Sequence, residues 1–235
     1  MYILHLKNVP ILEQLQLEEA LLRTDTRNVC IINEGSTPAI VMGISGKVEE
    51  LINLEKFQQN PIPIIKRYSG GGTVVVDSST IFVSFICNKD FVDFEAFPEP
   101  LMRWSAGIYR EAFPQIAFDL RENDYVIESK KVGGNAQYLT KSRFVHHTTF
   151  LWNYEESLMD LLKLPKKAPS YRKERSHEAF VTRLCQHFKR KEDFILSFKE
   201  VLRSTYRIQE INLHEVSHSL NEPHRKSTQL LSKIP

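Results

Sequence analysis

Apolar positions along this chain switch between a helical period and strand-like runs, and the switches divide it into elements. Ile11, Leu12, Leu15 and Leu22 recur at helical spacing behind Pro10, a residue suited to a first helical turn, which predicts a helix to about residue 24. Residues 29–32 and 39–42 are short β-branched runs separated by Glu34-Gly35-Ser36-Thr37-Pro38, the pattern of a hairpin. A short helix is expected over 47–58, then strands over 62–67 and 73–76 on either side of a glycine run. Residues 81–87 are apolar on both alternating faces, as in a strand at the middle of a sheet.

Pro100 opens another helix with Leu101, Trp104, Ile108 and Ala112 on one stripe, and Pro114 closes it. Strands follow over 116–118, 125–128, 135–139 and 144–152, the last two joined at residues 140–143. From Glu155 the pattern turns helical: Phe180, Leu184 and Phe188 share one face, and Phe194, Phe198, Val201 and Leu202 another. Residues 214–235 are polar and irregular and read as a loosely held tail. Hairpins mixed with separate helices predict an α+β fold, not a doubly wound parallel sheet.

Composition narrows the function. With 235 residues, 42% of them hydrophobic, the chain can bury one good core and a small appendage. A net charge of +2 lacks the basic excess of a general nucleic-acid binder. Cys30, Cys87 and Cys185 are widely spaced and odd in number, which argues against a disulfide framework or a thiolate zinc site and for a reducing cytoplasm. The N-terminus lacks the basic-then-apolar pattern of a signal peptide, and no apolar run approaches the roughly 20 residues that span a bilayer. A cytoplasmic protein with no membrane partner is expected.

Five of the nine glycines lie in two places, Gly70-Gly71-Gly72 and Gly133-Gly134. Consecutive glycines can turn several amides toward one anion, and each stretch has a cation just upstream, Arg67 and Lys131. The first stretch is neither a P-loop nor a dinucleotide fingerprint, and Ser45-Gly46-Lys47 lacks the upstream glycine a P-loop requires. A phosphate or carboxylate site is expected, with Lys131 reaching over bare backbone and Lys130 a solvated lysine. His146 and His147 are consecutive on a strand, point to opposite faces and cannot chelate one ion; one packed and one exposed histidine is expected. Cys185, in a helical pattern beside a core face, reads as a buried, inert thiol, as does Cys87. The cations Arg172, Lys173, Arg175, Arg183, Lys189, Arg190 and Lys191 read as a solvated face, or as a means of steering an acidic partner or closing over a phosphate.

Taken together, the motifs resemble those of the lipoate–protein ligase family, within the wider group that includes biotin ligases and octanoyltransferases. Residues 66–74 (KRYSGGGTV) resemble its RRxSGGGxV segment, Asn123-Asp124-Tyr125 its ND motif, residues 131–136 (KVGGNA) its KxxGxA segment, and residues 146–153 (HHTTFLWN) its HHGTLLxN strand. The resemblance covers about residues 10 to 190. It implies a mixed, largely antiparallel central sheet flanked by helices, with a catalytic domain over 1–190 and a C-terminal helix and polar tail over 191–235. It implies an enzyme that activates lipoate with MgATP as lipoyl-AMP and passes the acyl group to a lysine of a lipoyl domain, in a 2-oxoacid dehydrogenase complex or the glycine cleavage H protein. By the same resemblance Arg67, Gly70, Gly71, Gly72, Thr73, Val74 and Val75 bind ATP and the adenylate. Lys131 contacts the acyl carboxylate and α-phosphate as the catalytic residue, Asp124 coordinates Mg²⁺, and residues 171–177 resemble the segment that folds over the adenylate.

Three departures stand out. Lys66 replaces the first arginine and loses its planar fork. Thr148 stands where many members carry glycine, which predicts a narrower channel beside His147. Over these 235 residues a full C-terminal accessory domain is not expected; by the same resemblance, short members replace it by a separate subunit or do without. Two other functions compete: an ATP-independent octanoyl- or lipoyl-transferase working through a cysteine thioester, and a non-catalytic binding module.

Overall fold

A computed structural model describes residues 1–164 and 168–232. Its strands are β1 (Tyr2–Lys7), β2 (Val29–Glu34), β3 (Ala39–Met42), β4 (Ile64–Lys66), β5 (Val74–Val76), β6 (Thr80–Asn88), β7 (Phe118–Arg121), β8 (Asp124–Ile127), β9 (Lys130–Leu139), β10 (Arg143–Leu151), β11 (Gln209–Ile211) and β12 (Gln229–Leu230). The α-helices are α1 (Ile11–Thr24), α2 (Val48–Leu51), α3 (Leu54–Gln59), α4 (Pro98–Ala112), α5 (Glu156–Met159), α6 (His177–Phe180), α7 (Lys191–Thr205) and α8 (His214–Ser217). Among the described residues no helix is long and apolar enough to cross a membrane.

An eight-stranded sheet runs β11-β1-β2-β6-β10-β9-β8-β7, and a four-stranded sheet runs β12-β4-β3-β5. In the large sheet β1 pairs in parallel with β2 and β11, and the remaining pairings are antiparallel. The α+β expectation, with a largely antiparallel sheet flanked by helices, is borne out. β6 is central as expected: its odd-numbered residues Ile81, Val83, Phe85 and Cys87 enter the largest apolar cluster, which α4 and α7 cover. The even-numbered Phe82, Ser84 and Ile86 face the side where α1 and the small sheet sit. The helix α7 places Phe194, Phe198, Val201 and Leu202 in the same cluster, so one stripe of its sequence joins the main core.

Several local expectations give way to tertiary context. Residues 29–42 do not form a hairpin: β2 pairs with β1 and β6, whereas β3 crosses to the small sheet and pairs with β4 and β5. The expected 47–58 helix divides into α2 and α3, because Asn53 caps the second piece by accepting from the Lys56 amide. The described parts of the stretch from Glu155 to residue 190 form short pieces instead of a continuous helix, and Phe180 and Leu184 are buried from separate pieces. Nor is the tail loose as far as it is described. The buried carboxylate of Glu19 accepts from the amides of Ser227 (2.9 Å) and Thr228 (2.9 Å), and β12 then pairs with β4. Residues 233–235 of that tail lie outside the described residues.

Candidate active site

β4 and β5 lie on opposite sides of β3, so the segment between them must cross over the end of that strand. Arg67 braces the crossing. Its buried guanidinium donates to the carbonyls of Val41 (3.3 Å), Gly70 (3.0 Å) and Gly72 (2.8 Å), while the Ile44 amide donates to Ser69 O (3.0 Å). Burial lowers the Arg67 pKa to about 10, against the pull of the Glu18 carboxylate, so the side chain is cationic at neutral pH. Gly71 has φ +108°, and a Cβ there would lie 2.7 Å from the Arg67 side chain and 3.0 Å from Asn135 O, so conformation and space both require glycine. Carbonyls facing the guanidinium leave the other side of the turn free: among the described residues, the amides of Gly71, Gly72 and Thr73 have no acceptor.

The second glycine stretch meets the first. The Gly70 amide donates to Gln137 O (3.2 Å), fastening the turn to β9. A register shift between β8 and β9, where Tyr125 pairs with Gly133 and Val126 with Lys131, leaves Val132 without a partner and alters the regular alternation beside Lys131. Its ammonium then lies over Gly134, where a Cβ would stand 3.2 Å from Nζ, and pairs with Asp124 Oδ1 at 2.6 Å. The other Asp124 oxygen accepts from the Tyr171 hydroxyl at 2.9 Å. Burial, with the Asp124 charge added, pushes the Tyr171 pKa well up and keeps that donor protonated. Lys130 is exposed, as expected.

The residues that the resemblance assigns to the nucleotide, the acyl carboxylate and Mg²⁺ converge. Arg67, Gly70, Gly71, Gly72, Thr73, Val74, Val75, Asp124 and Lys131 line one cavity of about 740 Å³. An apolar portion of its wall comes from Ile11, Leu15, Val41, Val76 and Phe82. No group of three or more metal-ligating side chains occurs among the described residues, so Asp124 offers a hard oxygen without a prebuilt cage.

The two histidines part as strand geometry requires, but neither is exposed. His146 is fully buried on the α4 face, and burial, with the neighbouring His147 charge, pushes its pKa down to about 3. Gln137 Nε2 donates to its Nδ1 (2.8 Å), leaving Nε2 beside Tyr125 OH (2.8 Å) and Ser105 Oγ (2.9 Å). His147 reaches the cavity wall instead. There its Nδ1 meets Glu18 Oε1 at 2.9 Å and Ser84 Oγ at 2.9 Å, while Gln14 Nε2 donates to the same carboxylate at 2.8 Å. Burial alone would raise the Glu18 pKa; the His147 charge and these hydrogen bonds outweigh it and leave the group below the usual carboxylate range.

Sequence reasoning missed Glu18, although Gln14 and Glu18 fall three and seven residues after Ile11, inside the apolar stripe of α1, where polar residues are out of place. Thr148 does not narrow the channel, because its hydroxyl faces α4 and accepts from Tyr109 (3.0 Å). Cys185 is exposed on a 3₁₀ turn instead of buried in a helix, and it is not part of the cavity wall. Cys87 is buried, and burial pushes its thiol up to about 12.

The lipoyl protein ligase A/B catalytic-domain profile matches residues 10–207. This chain belongs to that family. Among curated relatives it is 28% identical over 250 residues to inactive lipoate–protein ligase 2 of Plasmodium falciparum, covering 80% of this chain and 64% of the relative. It is 31% identical over 136 residues to the lipoate-protein ligase LplJ of Bacillus subtilis, covering 55% and 39% respectively. These matches therefore span less than two thirds of the relatives' own lengths. A lipoate-protein ligase A structure with ATP bound superposes with a TM-score of 0.76 at 17% identity, covering 93% of this chain and 91% of that one. The bipartite ligase of the archaeon Thermoplasma acidophilum gives 0.74 at 19% identity, covering 93% and 89%. These likenesses show a shared fold.

Proposed function

We propose that the chain is an ATP-dependent lipoate–protein ligase. One observation carries this reading: three consecutive free amides at Gly71–Thr73 share a cavity with the Lys131 ammonium, which lies over bare backbone at Gly134. The amides offer donors to phosphate oxygens, and Lys131 offers a positive charge where a carboxylate must approach a phosphate. The apolar wall takes the acyl chain. A carboxylate oxygen attacks the α-phosphorus, an acyl–phosphate bond forms, and pyrophosphate leaves. The neutral ε-amine of an acceptor lysine then attacks the acyl carbonyl, forming the amide, losing a proton and releasing AMP.

The Mg²⁺ that accompanies ATP fits the donor set, because such an ion keeps water and phosphate oxygens and needs few carboxylates. Asp124 would hold it, and the ion would neutralise phosphate charge. Lipoyl domains of 2-oxoacid dehydrogenase complexes or the glycine cleavage H protein are the acceptors this reading implies, with a separate accessory subunit as a further partner. The ATP-bound family member supports nucleotide use, and the P. falciparum relative, named inactive, gives weight to a second reading as a non-catalytic binding module.

Pyrophosphate release separates the two readings. The ligase liberates it from lipoate and MgATP without acceptor, and Lys131→Ala suppresses it; a binding module releases none and keeps its partner affinity in the variant.

A further inference from the structure

Acylating a lysine releases a proton, and the nitrogen that adds to an acyl carbonyl stays cationic until a base relieves it. Four side chains on the cavity wall can serve as a base: Glu122, Asp124, His147 and His177. Three of them are already engaged. Asp124 is held at both oxygens, by the Lys131 ammonium (2.6 Å) and the Tyr171 hydroxyl (2.9 Å). His147 has Nδ1 against Glu18 Oε1 (2.9 Å) and Nε2 against Thr149 Oγ1 (3.2 Å). Glu122 is exposed, and hydrogen bonds from the Ser170 hydroxyl and from the Ser170 and Tyr171 amides hold its pKa below the usual carboxylate range, which weakens it as a base.

Of the four, His177 keeps a nitrogen in reserve. Its Nε2 is buried without a hydrogen-bond partner among the described residues, and the residue lines the cavity that holds Lys131. With the ring proton on Nδ1, that nitrogen offers an unshared lone pair. The short helix α6 that carries it is fixed at both ends. Ser176 caps it by accepting from the Ala179 amide (3.2 Å), and just beyond it the Thr182 amide donates to Lys131 O (2.8 Å), fastening the segment to β9. Phe180 on the same helix is buried, with the guanidinium carbons of Arg172 and Arg175 at 4.7 Å and 5.3 Å from its ring centre. Burial lowers the His177 pKa, the Arg172 charge lowers it further, Asp160 opposes them, and the Lys131 charge acts with the first two. The imidazole is therefore neutral at pH 7, and the two cations help to expel a proton once it has been taken.

We propose that His177 is the general base of acyl transfer, its Nε2 taking the proton that the acceptor lysine gives up. The proposal rests on the ligase reading and adds a catalytic residue to its second step. The ε-amine nitrogen adds to the acyl carbon, forming the C–N bond and an adduct with one proton too many on nitrogen. Nε2 takes that proton. The acyl C–O bond to phosphate then breaks, its electron pair stays on the AMP oxygen, and the amide remains. The imidazolium returns its proton to water.

The test is rapid-quench kinetics of the full chain loaded with lipoate and MgATP, each rate counted per lipoyl-AMP bound. Two amines serve as acceptors: Nα-acetyllysine amide, and hydroxylamine, a weakly basic amine whose adduct loses its proton to water unaided. His177→Gln is expected to slow transfer to the lysine probe about 10²-fold and to hydroxylamine less than about threefold. With the lysine probe, the wild-type rate should fall with two protons below the His177 pKa and with one above it, and the variant's with one throughout. Equal slowing with both amines, or no slowing in a folded variant, overturns the inference and leaves the ligase reading standing. If His177→Gln does not fold or holds no lipoyl-AMP, the wild-type profile decides alone, and a one-proton slope through the acid range overturns the inference. A wild-type chain that forms no lipoyl-AMP overturns the ligase reading and this inference with it.

Discussion

His146 and His147 are adjacent on one strand, identical in chemistry and both buried, yet they belong to different parts of the molecule. His146 shares its face of β10 with Thr148 and Phe150, and that face is closed by α4 and α7: Phe150 meets Tyr109 at 4.9 Å and Phe194 at 5.3 Å between ring centres. His147 shares the other face with Thr149, and both line the cavity. The pleat alone separates them. One strand thus has a face that holds the fold together and a face turned to the cavity, and substitutions one residue apart should fail in different assays.

The sharpest break is expected at Phe150. Phe150→Ala empties a fully buried site and should cost about 3–5 kcal/mol in denaturant unfolding. A cost below about 1 kcal/mol would mean that the α4 face is not the closed one. Its functional counterpart is Lys131→Ala, expected to reduce lipoate-dependent pyrophosphate release about 10²- to 10³-fold with the melting temperature near that of wild type. Parallel losses of activity and stability would erase the division.

Glu18→Gln tests the cavity face from beneath. It leaves His147 and Ser84 facing an amide in place of a buried carboxylate, with an expected cost of about 1–3 kcal/mol and a raised KM for lipoate. Stability that falls while KM stays constant would place the network outside the site.

A fourth prediction concerns pH. The unfolded chain protonates His146 near the ordinary 6.5, whereas the native chain keeps it neutral to about 3. This contribution to stability is complete above about pH 6.5 and is lost progressively below it, at up to about 1.4 kcal/mol per pH unit. Glu18, its pKa depressed, adds a loss in the same direction as pH falls through its native value. Urea midpoints between pH 7.5 and 4.5 should decline, and His146→Gln should flatten the decline. The smallest effect is expected from Thr148→Val, which removes the acceptor of Tyr109 for about 1 kcal/mol and leaves the lipoate KM unchanged.

The two glycine stretches were legible in sequence because bare backbone beside a cation is a local signature, and the central strand β6 because it is apolar on both faces. What sequence could not supply was partnership between distant segments. Nothing local tells Ala39–Met42 to leave β2 for the second sheet, or tells the tail that a buried carboxylate on α1 will take its amides. The stretch after Glu155 looked helical because its aromatic spacing fits that period, yet Lys131 and Trp152 capture the amides of Thr182 and Cys185 and hold that part of the segment to the sheet. Arg172 was visible as one cation in a basic run and as part of the 171–177 segment that the resemblance places over the adenylate, whereas its burial is a property of the folded cavity.

Native mass spectrometry of the purified chain after incubation with lipoate and MgATP tests the central claim most directly. Lipoyl-AMP held non-covalently by the wild type, and lost from Lys131→Ala, is the result expected if the free amides and the Lys131 ammonium enclose one mixed anhydride. A covalent acyl adduct on a cysteine, or no acyl-AMP under any loading, would contradict it.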